Sequence, residues 1–350
     1  MVIKMELLWQ NNQVFCESGM FLPAPRINLM FPAEKITEVK QHSTGKIFMA
    51  GKDFCHTPGD DFITRPDGSE IPFFPESAIH PTENLRFHPD PDANAISDAV
   101  DGGNLLFNNK DFFALNQIDI TYQAAAVDFD PELTAQSERL PRFREMLADK
   151  KPLQVTLIGD SISEGYNATK FVNIPPFAPC YMEMACNELG DFITFRNRAI
   201  GGTGIQHACR IENDYQGDRP DLLVIAYGMN NFAAMPIEEF LNYLQQIITK
   251  CQAVNPHTEY LILTSMSGNP LWKRTVPGPD ALYAEKIREF VNSSGTHIAL
   301  ADAAKVWQKF LARKGFYDMT GNGVNHPNDY GHRIYASVVL ELLTGKKYFN

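Results

Sequence analysis

From residue 151 onward, apolar positions take two alternating forms: short unbroken runs, and longer stretches with a period near 3.6. The runs VTLI, LLVIAY and YLIL fall in candidate strands at 154–158, 221–227 and 260–264, and two further strands read at 192–196 and 297–300. Helical periods occupy about 177–189, 204–214, 237–254, 279–293, 303–313 and 329–343. Strands with no polar face, alternating with helices, predict a three-layer α/β fold with a parallel sheet covered on both sides. In such sheets ligands gather beyond the carboxyl ends of the strands.

The first 130 residues follow another pattern. Brief apolar or alternating runs at 13–16, 26–30, 46–50, 105–107 and 118–122 are separated by Pro23, Pro25, Pro58-Gly59-Asp60, Pro66-Asp67-Gly68 and Gly102-Gly103. No helical period lasts three turns there. Short strands with Gly/Pro punctuation predict an all-β sandwich of jelly-roll type. Residues 131–150 are polar and helix-permissive, a connecting segment. The expected organisation is therefore a β domain at 1–130, a linker at 131–150 and an α/β domain at 151–350.

Charge sharpens this division. The chain carries 31 basic and 42 acidic residues, a net of −11, and residues 1–150 hold 13 of the basic and 23 of the acidic ones. A surface of that sign repels nucleic-acid backbones and anionic lipid, so neither is an expected partner. Mean hydropathy is −0.24, and no apolar run approaches the roughly 18 residues of a membrane span. The N-terminus lacks the apolar stretch of a secretory signal, which makes a cytoplasmic location the expectation, or a secreted one if a signal has been removed. Six scattered cysteines include no CxxC pair and no zinc-site spacing. Asp90, Asp92, Asn94, Asp98 and Asp101 approach a Ca²⁺-loop template, but Ala95 stands at its glycine position and no glutamate closes it. No metal or cofactor is expected.

Candidate chemistry sits at the predicted strand ends. Gly159-Asp160-Ser161 presents a serine just past the first parallel strand. The spacing is not that of the G-x-S-x-G elbow, and a turn-capping serine is the plain alternative. Gly201-Gly202-Thr203-Gly204 follows the second strand; His207 stands where a dinucleotide fingerprint needs glycine, leaving an amide donor or simple backbone geometry. Gly228-Met229-Asn230 follows the third, where a side-chain amide can donate to developing negative charge or cap a helix. His326, before Pro327 and an amphipathic stretch, is on a loop able to reach the sheet rim. Tyr166 and Asn167 follow the serine turn, and Trp272 lies after the fourth strand, positioned to stack on a sugar ring or to be buried.

In this order, Gly159-Asp160-Ser161, Gly202, Gly228-Met229-Asn230 and His326 resemble the four blocks of the SGNH, or GDSL-type, hydrolases. The resemblance implies a flavodoxin-like sheet and cofactor-free acyl transfer. Ser161 would be the nucleophile and His326 its base, with an oxyanion hole from the Ser161 and Gly202 amides and the Asn230 side chain; Asp160, Tyr166 and Trp272 are possible substrate contacts. The family's usual aspartate three residues before the histidine is here Gly323. Asp318, Asp329 or Asp302 would have to fold in, or a backbone carbonyl or Asn325 would accept the imidazole N–H, leaving a Ser–His dyad, the preferred reading. Certain two-domain carbohydrate esterases of the superfamily share that absence and a jelly-roll-like leading domain. An acylated carbohydrate, or another small ester, is the expected substrate. Lipid or thioester acyl chains at the same site, or an inert glycan-binding protein, are the alternatives. Oligomeric state is not legible.

Overall fold

The computed structural model describes residues 5–83, 86, 93–275 and 278–349. Before residue 130 the described strands are β1 (Trp9–Gln10), β2 (Gln13–Gly19), β3 (Arg26–Asn28), β4 (Ala33–Gln41), β5 (Phe62–Thr64), β6 (Ala95–Ser97), β7 (Asn104–Leu106) and β8 (Ile118–Ala124), with one short helix, α1 (Phe112–Asn116), before β8. They form an antiparallel sheet of order β1-β2-β8-β4 and two antiparallel ribbons, β3-β5 and β6-β7. The antiparallel character is as expected. The strand expected at 46–50 is instead a loop: Ile47 and Met49 are exposed, and isolated bridges, Lys40 to Ile47 and Ala50 to Phe54, stand in place of a ladder. Of the acidic positions resembling a Ca²⁺ loop, Asp90 and Asp92 lie outside the described residues, and Asp98 faces Arg274 at 3.5 Å.

The second half opens with α2 (Pro141–Ala148), then β9 (Leu153–Gly159), α3 (Ser161–Glu164), α4 (Tyr181–Leu189), β10 (Ile193–Asn197), α5 (Glu212–Gly217) and β11 (Leu222–Ala226). It continues through α6 (Ile237–Val254), β12 (Glu259–Leu263), α7 (Pro279–Asn292), β13 (Ile298–Ala301), α8 (Ala303–Leu311), α9 (Phe316–Met319) and α10 (Asp329–Thr344). All five strands are parallel, in the order β10-β9-β11-β12-β13. Strands β11, β12 and β13 are buried throughout, as their unbroken apolar runs require. Helices α4 and α8 each pack against α10, while α6 packs with α5 and α7. The helix expected over 204–214 is a 3₁₀ turn, Ile205–Cys209, followed by α5.

Strand order reverses beside β9, since the chain goes first to β10 on one side and then to β11 on the other. That is the switch point at which a crevice opens at the carboxyl edge of an α/β sheet. The antiparallel sheet packs against α9 and α10 through β2, and one hydrophobic core runs through both halves. Trp9, for example, lies 5.4 Å from Phe129 and 6.0 Å from Phe310, ring centre to ring centre.

Polar ties of unusual burial join the halves. Lys314, with a side chain wholly removed from solvent, pairs with equally buried Glu17 at 2.8 Å and with Asp318 at 3.6 Å. Arg333 on α10 donates to the carbonyls of Leu7, Phe15 and Cys16. His42, just past β4, bridges Asp119 on β8 at 2.8 Å and Asp329 at the start of α10 at 2.9 Å. Burial alone would lower the His42 pKa; the two carboxylates more than offset it, raising it to about 10.

Candidate active site

The turn after β9 places Ser161. Gly159 ends the strand where a Cβ would stand 2.5 Å from Ser163 Oγ and 2.6 Å from the Ala226 carbonyl, so only glycine lets β9 stay paired with β11 to its last residue. Asp160 then caps α3, accepting the Ile162 N–H at 3.1 Å. Burial pushes this carboxyl up, and backbone amides of Ile162, Asp160 and Met229 partly counter it, leaving a pKa of about 7. Asp160 is 2% exposed, and the bond its side chain makes is to the turn itself. It shapes the turn.

Past β10, Glu164 of α3 accepts the Gly201 N–H, tying the second block to the serine turn. Gly202 is exposed, with φ +75°, and no heavy atom occupies the space its Cβ would take. Past β11, the Asn230 amide donates to the Thr203 carbonyl at 3.0 Å, which holds it against the Gly202 loop and leaves its second N–H uncommitted. The neighbouring Asn231, unremarked in the sequence, braces the same loop by accepting the Ile205 N–H at 3.1 Å.

His326 arrives from the far end of the chain. Its Nε2 lies 2.8 Å from Ser161 Oγ, and both residues are 5% exposed. The imidazole is held below the ordinary histidine range, at about 3, chiefly by burial and also by nearby His332. The three aspartates considered as orienters are engaged elsewhere. Asp318 accepts from Met20 and Gly315, Asp302 binds Arg288, and Asp329 binds His42 and Thr169. Asn325 bonds Asn322. What stands 2.7 Å from His326 Nδ1 is Asn167 Oδ1, while Asn322 Nδ2 approaches the same nitrogen at 3.0 Å. Asn322 is a local partner, four positions before the histidine, but Asn167 lies 159 positions away and reaches the ring only because both loops meet at the sheet edge.

Gly323 takes the family's aspartate position, and the reason is steric. A Cβ there would stand 2.6 Å from the Leu106 carbonyl and 2.8 Å from the Phe113 ring, with φ at +85°. The first half of the chain fills that space.

Tyr166 is half-buried, its ring 5.4 Å from His326 and 4.2 Å from the exposed Phe171. Trp272 is 7% exposed and packs within the hydrophobic core. All six cysteines are unpaired.

The sequence profile of the GDSL-like lipase/acylhydrolase family matches residues 157–334, half of the chain. No curated protein matches in sequence. Among solved structures, a member of the lipolytic G-D-S-L family from Veillonella parvula is 15% identical, covering 54% of this chain and 97% of its own, with a TM-score of 0.43. The lipase/acylhydrolase from Enterococcus faecalis is 14% identical, with coverage of 55% and 96% and a TM-score of 0.44. A two-domain esterase active on acetylated mannans is 18% identical, with coverage of 59% and 55% and a TM-score of 0.45.

Proposed function

This chain belongs to the GDSL-like lipase/acylhydrolase family and is an ester hydrolase; from that premise we propose that it removes short acyl groups, acetyl foremost, from an acylated carbohydrate. The observation that carries the reading is the 2.8 Å contact between Ser161 Oγ and His326 Nε2 at the switch point of the sheet. Ser161 Oγ attacks the ester carbonyl as His326 Nε2 takes its proton. The tetrahedral oxyanion is assigned to the Ser161 and Gly202 amides and to Asn230 Nδ2, the donors carried by the turns after β9, β10 and β11. The imidazolium gives its proton to the departing sugar oxygen. Water, deprotonated by the same nitrogen, then attacks the acyl-serine, releasing the carboxylic acid and restoring the Ser161 hydroxyl.

Two features support a small acyl group on a sugar. The reacting side chains are each 5% exposed, which favours a compact acyl group. Beside them, Tyr166 and Phe171 form an aromatic pair next to the base, a surface suited to the apolar face of a pyranose. The exposure of Phe171 and Ile200, 42% and 45%, is what favours a longer acyl chain instead.

Hydrolysis of p-nitrophenyl acetate, butyrate and octanoate, together with acetate release from acetylated oligosaccharides, separates these readings. Turnover is expected to fall with chain length, and Ser161→Ala and His326→Ala are each expected to reduce kcat by 10³-fold or more, on the order seen when a serine–histidine unit is broken. Octanoate as the best substrate would favour the lipid reading. Turnover that survives Ser161→Ala would remove the nucleophile assignment.

A further inference from the structure

We infer that Asn167 is the positioning residue for His326, setting which imidazole nitrogen carries the proton, and that the chain before residue 130 holds it in that role. The inference rests on the Ser161–His326 reading above.

His326 Nδ1 faces two amides of opposite character. Asn167 offers an oxygen at 2.7 Å and Asn322 an N–H at 3.0 Å. If Nδ1 carries the proton, it donates to Asn167, and Nε2 is free to accept from Ser161. If Nδ1 is bare, it accepts from Asn322, and Nε2–H points at the serine oxygen as a donor. Only the first tautomer has its lone pair on the nitrogen facing Ser161, so Asn167 and Asn322 pull on the equilibrium in opposite directions.

The orientation of the Asn167 amide is itself determined. Its Nδ2 faces the carbonyls of Asn108 and Lys110, at 3.5 and 3.4 Å, and turning the amide over would set an oxygen against both. An amide is the side chain that satisfies both sides, donating to two carbonyls and accepting from the imidazole. An aspartate would meet the carbonyls with a lone pair. The same stretch of chain supplies Leu106 and Phe113 against Gly323 and receives the Asn322 carbonyl on the Asn108 N–H at 3.1 Å. Segment 106–113 thus both fills the family's acid position and aims the neutral group that serves in its place.

Asn167 has φ +63° and is 3% exposed, so Asn167→Gly removes the acceptor with the backbone unstrained. Expected is a kcat loss of 10²-fold or more with KM within about threefold, the pattern of a base held in the wrong tautomer. In ¹⁵N NMR of the histidine rings, His326 of the wild type is expected as the Nδ1–H form and that of Asn167→Gly as predominantly Nε2–H. The isosteric Asn167→Asp tests the carbonyl clamp. Its carboxyl gains a proton easily beside two carbonyls, a raised folded pKa, so its stability is present in acid and lost as pH rises. A melting temperature close to wild type at pH 5 and well below it at pH 8 is expected, with activity at pH 5 closer to wild type than that of Asn167→Gly. An unchanged His326 tautomer in Asn167→Gly would overturn the inference, as would kcat within threefold of wild type. Because the NMR readout needs no turnover, it stands or falls apart from the hydrolase reading, which Ser161→Ala tests on its own.

Discussion

At the scale of single residues, the site depends on which side chains are denied water. His326 is buried and, among the described residues, no carboxylate bonds its ring, so protonating it is costly, and its pKa lies near 3. The acid limb of kcat/KM is therefore expected well below the 6.5 of free imidazole: activity toward p-nitrophenyl acetate should hold nearly level from pH 8 to pH 5. A half-loss centred near pH 6.5 would contradict this. Gly323→Asp, the substitution that restores the family's acid on paper, is expected to fail, because its Cβ meets the Leu106 carbonyl and the Phe113 ring at left-handed φ. Overpacking and backbone strain together predict a cost of about 2–4 kcal/mol in urea denaturation, with no gain in kcat. The serine and asparagine blocks are legible because each interrupts an apolar strand at its end, whereas Gly202 and His326 are legible only by their order along the chain. In the sequence Asn167 is only a neighbour of the serine, since nothing in local spacing says that an asparagine will meet a histidine 159 positions away.

Among the elements, β4 is the instructive one. Its sequence, AEKITEVKQ, shows no clean alternation, because irregularities between Ala33 and Lys35 and between Ile36 and Glu38 shift which side chains face the core. Periodicity finds the parallel strands of the second half and misses this one for the same reason: burial on both faces leaves an apolar run, while a bulged strand leaves no regular pattern. Just beyond β4, His42 links this strand to β8 and to the first residue of α10. Its folded pKa, raised to about 10, makes its contribution fully present below pH 6.5 and lost as pH climbs through 10. The melting temperature is thus expected to decline between pH 8 and pH 10.5. His42→Ala should cost about 3–5 kcal/mol, since it strands two buried carboxylates, and should flatten that decline. A variant that melts like the wild type at pH 7 would show that the pair finds other partners.

For the whole molecule, the change of pattern near residue 130 marks a change of architecture, and the sequence conveys that much. It does not convey that the core continues across it, because Glu17, Lys314 and Arg333 look like ordinary surface charges until the chain is folded. Residues 131–350 produced alone would leave Lys314 without Glu17, Arg333 without its three carbonyls and the aromatic cluster around Phe310 without Trp9. That fragment is expected to lack a cooperative thermal transition and to show negligible hydrolysis; a sharp transition by circular dichroism would show the α/β half to be self-sufficient.

The grip of Arg333 on the carbonyls near residue 15 has a consequence for how the protein is made. More than 300 residues separate the partners, so the ribosome has long since released the first strands when α10 emerges. Until then β2 waits with a buried acid uncompensated and an apolar face uncovered. Contacts of such long range slow folding and prolong the exposure of sticky surface. The nascent chain should accordingly lean on holding chaperones during translation, and its yield should depend more on the temperature of expression than its final melting point suggests.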